Sequence, residues 1–340
     1  MLIPFVIDSD SLAPDPGWNS LRQREIYDNF IETWMQAGLL AVDGNKIDDS
    51  ILFKSIASVP EKYRKRMQGL MMKCPVIYIP KWKGVVDFYD LGAIAPNAQI
   101  ALVDDVRAEV EFGLTAEDYE IRNNETQVTV CRFQAFSHST TVQDFKNIKD
   151  THIEPGDTFK EIWDKRFRNL AIAPIKQISI VDRYAVNRHF KNLDNPKSYF
   201  SGLESFLKLL NDTASGDRYV TLYSEQTDYL NDNNITKDKI EDELSVLQKK
   251  YSHRVRLLKL YMAPDYIFAK YAHDRFIRFH ANDCHQYVWD LGKGIEIFEG
   301  TSFWATSSAH FLAGDLKNYK NKEYVIQNNK ETKIFKCNAQ

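Results

Sequence analysis

A histidine and an arginine stand one residue apart in the C-terminal third of the chain, as His273 and Arg275. The pattern predicts a strand that begins at His273. Because side chains alternate between the two faces of a strand, both would point the same way, with Asp274 on the other face. A guanidinium can bind a phosphate bidentately, and an imidazole can attack one. The pair therefore predicts a phosphate-binding site in which His273 is the catalytic candidate.

Two further groups of residues could complete this site. Lys293 stands between Gly292 and Gly294, whose permissive backbone would allow a close approach to a ligand. Asp182 and Arg183 directly follow a predicted strand, and ligands collect at the carboxyl ends of parallel strands. We therefore expect all five to take part in phosphate binding. The open alternatives are a helix cap at Asp182 with a solvated Arg183, and an exposed turn lysine at Lys293. For His273 and Arg275 the alternative is a core histidine and an arginine paired internally with an acid such as Asp182.

Acidic residues follow two predicted strands in the N-terminal half. Asp8 and Asp10 come after the first strand, and Asp104 and Asp105 come after the strand at Ile100–Val103. Carboxylates at neighbouring strand ends can hold Mg²⁺ or Mn²⁺, and a pair of such ions can drive phosphodiester cleavage. Aspartate after a strand is also an ordinary turn and N-cap residue, so this alternative stays open.

The elements that would position these residues alternate between strands and helices, which predicts an α/β fold with two domains. We expect an N-terminal α/β domain over residues 1–157 and a second domain over residues 158–340, divided at the turn Pro155-Gly156-Asp157. The second domain reads strand–helix–strand–helix followed by three strands. Its first three strands are expected to be parallel.

The amino-acid composition limits the classes of protein to which the chain can belong. Hydrophobic residues make up 44% of the 340 residues, which is enough for sizeable cores. The formal net charge of −3 is unlike that of most nucleic-acid-binding domains, which are basic. The four cysteines form no CxxC pair, and neither a signal peptide nor a long apolar run is apparent. We therefore expect a cytoplasmic protein with no integral membrane segment.

The segment HDRFIRF from His273, the hairpin after it and the segment LGKGIEIF resemble the phospholipase D-like domain at the C-terminus of MIT-domain proteins. The resemblance covers Trp163 to Gly314 and implies a mixed sheet with helices on both faces. Catalytic members of that family carry His-x-Lys, then four residues, then Asp, then a turn of small residues. His273 matches their nucleophile, whereas Arg275 and His280 replace their lysine and aspartate.

The MIT-type domains look like binding modules for phosphoinositide membranes, so the resemblance implies binding. If the chain hydrolyses its ligand, the catalytic members imply a phosphohistidine at His273, with no cofactor at that site. The family brings two such motifs together, so a hydrolytic site would need a homodimer through the C-terminal domain. The N-terminal acidic pattern is faintly similar to PIN-type nucleases, which implies Mg²⁺ or Mn²⁺ at Asp8 and Asp104.

The sequence thus predicts a phosphodiester-binding protein, foremost a nuclease directed at nucleic acid. By analogy, such a combination of domains fits a bacterial defence effector. One alternative is a non-catalytic scaffold for a phosphate, a membrane headgroup or a partner protein, which the missing lysine and aspartate favour. The other alternative is a metal-dependent nuclease that uses the N-terminal acidic cluster.

Overall fold

The computed structural model describes residues 1–80, 82–194, 199–227, 230, 232–233, 235–271 and 274–338. The chain forms two compact units, Met1–Asn147 and Ile148–Gln340. Both combine a sheet with helices, which confirms the predicted α/β class. The division lies before the turn that we expected to mark the boundary. Ile153, upstream of that turn, forms a β-bridge with Ser307 of the second unit.

The first unit contains a six-stranded sheet in the order β3-β2-β1-β4-β6-β5. Its strands are β1 (Ile3–Ile7), β2 (Gly38–Asp43), β3 (Val76–Ile79), β4 (Ile100–Val103), β5 (Glu120–Arg122) and β6 (Thr129–Arg132). All neighbours pair in parallel except β5, which is antiparallel to β6. The strand order reverses between β1 and β4, so their carboxyl ends border a crevice of the kind in which ligands bind.

Helices of the first unit are α1 (Ser20–Ala37), α2 (Ile51–Ser55), α3 (Glu61–Lys73), α4 (Leu91–Ile94), α5 (Asp105–Val110) and α6 (Thr140–Ile148). The α1 helix begins after Asn19, whose side chain accepts a hydrogen bond from the backbone N–H of Arg22. Its apolar face buries Phe30 and Trp34 against Phe5 of β1, with ring centroids 6.1 and 5.9 Å away. Aromatic packing of this kind fixes α1 on the sheet.

The second unit contains a seven-stranded sheet in the order β12-β11-β10-β7-β8-β9-β13. Its strands are β7 (Gln177–Val181), β8 (Arg218–Gln226), β9 (Val255–Pro264), β10 (Phe276–Asn282), β11 (His285–Leu291), β12 (Ala309–Gly314) and β13 (Lys333–Asn338). The strands β7, β8 and β9 are parallel, which confirms the prediction, and the remaining pairs are antiparallel.

Helices of the second unit are α7 (Phe159–Ile162), α8 (Arg168–Ile172), α9 (Ala185–Asp194), α10 (Gly202–Thr213), α11 (Lys237–Lys250), α12 (Asp265–Tyr271) and α13 (Lys317–Asn328). A 3₁₀ turn, Gly294–Phe298, follows β11 and packs against α10 through the rings of Phe206 and Phe298, 5.6 Å apart. Within the part of the chain that the structure describes, no helix has the length and apolar character to cross a membrane.

Candidate functional site

The sheet register of the second unit brings several of the predicted site residues to one edge. The strands β7 and β10 pair with Val181 opposite Phe276, so Asp182 and Arg275 both lie just beyond the paired residues. The strand β11 ends at the same edge, where the Leu291 N–H donates to the Arg275 carbonyl at 2.7 Å. This edge is the carboxyl end of β7, where sites gather in sheets with parallel strands.

The predicted strand from His273 is corrected by the structure, in which β10 begins at Phe276. Its pairing partner β7 ends at Val181, directly opposite Phe276, so Arg275 has no partner on that side. Strand alternation therefore does not fix the direction of the Arg275 side chain. The predicted nucleophile, His273, lies outside the described residues.

Arg275 is half-buried, and its Nη2 donates to the Gly292 carbonyl oxygen. Among the described residues this carbonyl is its only hydrogen-bond acceptor, and none of their acidic side chains forms an ion pair with it. The Tyr184 ring centroid lies 5.8 Å from the guanidinium carbon. A guanidinium carries five N–H donors, so most of the hydrogen-bonding capacity of Arg275 remains available to a ligand.

Lys293 provides a second cation beside Arg275. Its backbone N–H donates to the Ser307 hydroxyl at 3.0 Å, and its ammonium lies 5.8 Å from the ring centroid of Trp304. The preceding residue, Gly292, has no room for a Cβ because the Ser308 hydroxyl occupies that space. Since Arg275 is bound to Gly292 itself, two cations lie at adjoining strand ends.

The sequence predicted that Asp182 and Gly294 both take part in phosphate binding. In the structure these two residues lie against each other. Asp182 is buried and accepts from the backbone N–H groups of Tyr184 at 3.0 Å and Ile295 at 2.8 Å. Burial raises the pKa of Asp182, while Arg275 and these hydrogen bonds oppose the rise. Gly294 has φ +58°, and a Cβ there would overlap the Asp182 carboxylate. The pair therefore positions the 3₁₀ turn rather than the ligand.

Arg183 is paired internally, whereas the open alternative for this residue was a solvated arginine. Its Nε donates to Glu225 at 2.8 Å, and its Nη2 donates to Asp265 at 2.5 Å. Glu225 is buried, and burial raises its pKa against the opposing charge of Arg183. Arg183 thus fastens the end of β7 to the end of β8 and to the start of α12, with its charge already compensated.

Sequence reasoning missed Glu296 and Arg188. Glu296 belongs to the 3₁₀ turn, its side chain is 1% exposed, and it lies 2.7 Å from Nη1 of Arg188 on α9. Burial raises the pKa of Glu296, while Arg188, Lys293 and Arg275 lower it. The available signal was a glutamate between two isoleucines in the segment GIEIF. A buried carboxylate therefore lies behind the cations of the site.

In the first unit, Asp8 and Asp104 follow the neighbouring strands β1 and β4, as the sequence predicted. Arg107 forms an ion pair with Asp8 and donates to Asp10 at 3.1 Å. Asp104 accepts from the backbone N–H of Arg107 at 2.9 Å and thereby caps α5. Burial raises the pKa of Asp8, and Arg107 opposes the rise. An arginine occupies the position at which we expected a metal ion.

Asp105, the fourth predicted metal ligand, belongs to a separate set of contacts. It accepts from Arg132 at 2.9 Å and from the Gln134 amide at 2.8 and 2.7 Å, beside a cavity of about 630 Å³. No three His, Cys, Asp or Glu side chains among the described residues form a group that could hold a metal ion. The four aspartates are thus divided between two arginines instead of gathered in one cluster.

Comparison with models of known protein families gives no match, and comparison with curated protein sequences gives none. The resemblances to phospholipase D-like and PIN-type domains therefore depend on the motif residues in the chain itself. The fold and the site define an α/β protein with two mixed sheets, the second of which carries Arg275 and Lys293 at the carboxyl end of its first strand.

Proposed function

We propose that the second unit binds a phosphodiester at the carboxyl end of β7, through Arg275 and Lys293. One observation carries the proposal. The Arg275 guanidinium is anchored by a neutral carbonyl, that of Gly292, and not by an acid. Its remaining donors are therefore free to meet an anion, and arginine matches the geometry of phosphate oxygens.

The charges around Arg275 support this proposal. Asp182 and Glu296 are buried behind it, and each interacts electrostatically with Arg275. Neither carboxylate forms an ion pair with Arg275, which is only half-buried and therefore remains accessible to an anion. A phosphodiester bridging Arg275 and Lys293 would have two cations for its single negative charge.

The substrate class that we propose is nucleic acid, and the activity that we favour is nuclease activity. His273, two residues before Arg275, would be the nucleophile that attacks phosphorus while the bond to one ester oxygen breaks, and water would then release the phosphohistidine. Arg275 would stabilise the charge on the non-bridging oxygens. The resemblance implies that a second copy of the chain completes such a site.

Binding can be tested with labelled single- and double-stranded DNA and RNA. We expect Arg275→Ala to weaken binding about tenfold, the typical loss for one phosphate contact of this kind. Arg256→Ala is the matched control, because Arg256 lies at the amino end of β9 and donates to Asp217 at 3.0 Å. Equal affinities for wild type and Arg275→Ala would contradict the proposal.

Cleavage assays with Mg²⁺, with Mn²⁺ and with EDTA separate the remaining alternatives. Cleavage that survives EDTA and is lost in His273→Ala is expected for the nuclease. Binding without cleavage would instead indicate a phosphate-binding scaffold. Cleavage that is lost both in EDTA and in Asp8→Ala would indicate that the first unit carries the nuclease activity.

A further inference from the structure

A cavity of about 380 Å³ opens beside helices α9 and α10 of the second unit. Its lining includes three rings and four polar side chains, namely Phe159, Tyr199, Phe200, Asn192, Ser205, Lys208 and Thr301. Small-molecule sites have volumes of this order and combine apolar walls with a few polar groups. The cavity therefore has the size and lining of a site for a flat, mostly apolar ring.

Phe200 is the ring that a ligand could reach most directly. It is 42% exposed, and the Lys250 ammonium lies 4.6 Å from its centroid. The Ser205 hydroxyl has no hydrogen-bond partner within the described part of the chain. The Asn192 amide donates to the Tyr199 carbonyl at 3.4 Å. A ring stacked on Phe200 would thus have a hydroxyl and an amide near its edge.

The cavity is separated from the phosphate site at Arg275 and Lys293, called the anion site here, by the backbone around Ile295. Asp182, beside Arg275, accepts from the N–H of Ile295 at 2.8 Å. The carbonyl of Ile295 in turn occupies the space that a Cβ of Gly202 would need. Gly202 is the first residue of α10 and comes directly after the segment that carries Phe200.

Only a short segment of the chain separates the anion site from the cavity. The anion site borders the turn at Gly294, and Gly300, six residues later, lines the cavity. Six residues can span at most about 20 Å when fully extended. On α9, Arg188 contacts Glu296 of the turn, and Asn192 lines the cavity one helical turn further along. The two places are therefore no further apart than about 20 Å along this segment, which is within the length of a short oligonucleotide.

We propose that this cavity takes a base of a single-stranded nucleic acid whose phosphodiester is bound at Arg275. The inference rests on the proposed function and extends it to the form of the substrate. A nucleotide strand has charge on its backbone and flat, weakly polar rings beside it. The second unit presents the complementary arrangement, with cations at the strand ends and aromatic walls in the neighbouring cavity. A duplex keeps its bases stacked inside, so only an unpaired base could enter.

The test compares an oligothymidylate with an abasic deoxyribose-phosphate chain of the same length, using the full-length protein. We expect wild type to bind the base-carrying strand about tenfold more tightly, because one stacked base contributes on that scale. Phe200→Ala and Phe200→Leu should abolish most of this preference while the affinity for the abasic chain is kept. Tyr219→Ala is the control, since Tyr219 is 39% exposed at the amino end of β8.

Either of two results would overturn the inference while leaving the phosphate site intact. One is equal affinity of wild type for both strands. The other is an unchanged preference in both Phe200 variants when their melting temperatures match wild type. An abasic chain that fails to bind wild type would overturn the phosphate site itself, and this inference with it.

Discussion

At the scale of single residues, the arginines at strand ends differ in what holds them. Arg107, Arg132 and Arg183 are each bound by carboxylates, so their charges are compensated within the protein. Arg275 is bound by the carbonyl of Gly292. Because a single carbonyl is its hydrogen-bond acceptor among the described residues, Arg275 keeps most of its donors for a ligand, which is why Arg275 and not Arg183 is the centre of the proposed site.

Substitution of Gly294 tests how the turn beside Arg275 is positioned. Gly294→Ala would combine a left-handed backbone at φ +58° with overlap of the new Cβ and the Asp182 carboxylate. We expect the free energy of unfolding to fall by more than about 1 kcal/mol. Gly156→Ala is the control, because Gly156 has φ +98° with open space around it. Denaturant titrations with equal losses for both variants would contradict the close approach of Gly294 to Asp182.

Glu296 should make binding at the site depend on pH. Because burial raises its pKa, Glu296 takes up a proton at a higher pH than an exposed glutamate does, and its negative charge near Arg275 and Lys293 then disappears. We expect affinity for a phosphodiester to rise as the pH falls from neutrality towards the raised pKa of Glu296, because the phosphodiester itself keeps its charge.

The Glu296→Gln variant isolates this contribution. The variant should bind more tightly than wild type near neutral pH and should show a flatter pH profile. Affinity measured by fluorescence anisotropy across the pH range gives both quantities. A profile identical to that of wild type would show that Glu296 does not act on the site.

At the scale of elements, alternation and capping residues were sufficient to predict much of the fold. The sequence predicted the strand β4 with the correct ends, a strand directly before Asp182 and the parallel arrangement of β7, β8 and β9. It missed β2, because Gly38–Asp43 follows α1 with no intervening turn residues. It also missed α9, although Val186, Phe190 and Leu193 recur at helical spacing.

Only those parts of the site that depend on residues close together in the sequence could be predicted. Arg275 and Lys293 come together because both adjoin predicted strands of one hairpin. The contact of Asp182 with Ile295 joins residues more than a hundred positions apart, and no local pattern encodes it. For the same reason the pairing of Arg107 with Asp8 was not visible in the sequence.

The start of α10 depends on Ser201, which should be a sensitive position. Its hydroxyl accepts from the Glu204 N–H at 3.3 Å and lies 2.7 Å from Nδ1 of the buried His189. Ser201→Ala would remove the helix cap and leave a buried ring nitrogen without its partner. We expect a loss of about 1 to 3 kcal/mol in unfolding free energy.

The matched control for this prediction is Ser252→Ala. The Ser252 hydroxyl donates to the Lys249 carbonyl at 2.9 Å in an exposed position, so its loss should change stability by less than about 0.5 kcal/mol. Equal stability of the two variants in chemical denaturation would contradict the role assigned to Ser201 in the second unit.

At the scale of the whole molecule, the net charge of −3 provides no general attraction for nucleic acid. Each sheet has polar residues at strand ends, but their signs differ. The first unit gathers aspartates that are bound by arginines. The second unit gathers cations, of which Arg275 forms no ion pair with an acid among the described residues. Binding through so few phosphate contacts should therefore depend only modestly on salt.

The salt dependence of binding to single-stranded DNA measures the number of those contacts. For wild type we expect a shallow slope of log affinity against log salt concentration, since each phosphate contact contributes about 0.7 for single strands. Arg275→Ala should lower the slope by about that amount, and Arg256→Ala should leave it unchanged. A steep slope that Arg275→Ala does not alter would indicate a broad basic surface elsewhere in the protein.

The contact between Arg275 and a phosphodiester can be observed most directly by nuclear magnetic resonance. The side-chain Nε–H signal of Arg275 in ¹⁵N-labelled protein can be assigned by its loss in Arg275→Lys. We expect this signal to shift saturably when a short single-stranded oligonucleotide is added, while the Arg256 signal remains in place. An Arg275 signal that stays unchanged at oligonucleotide concentrations that saturate binding would contradict the phosphate site.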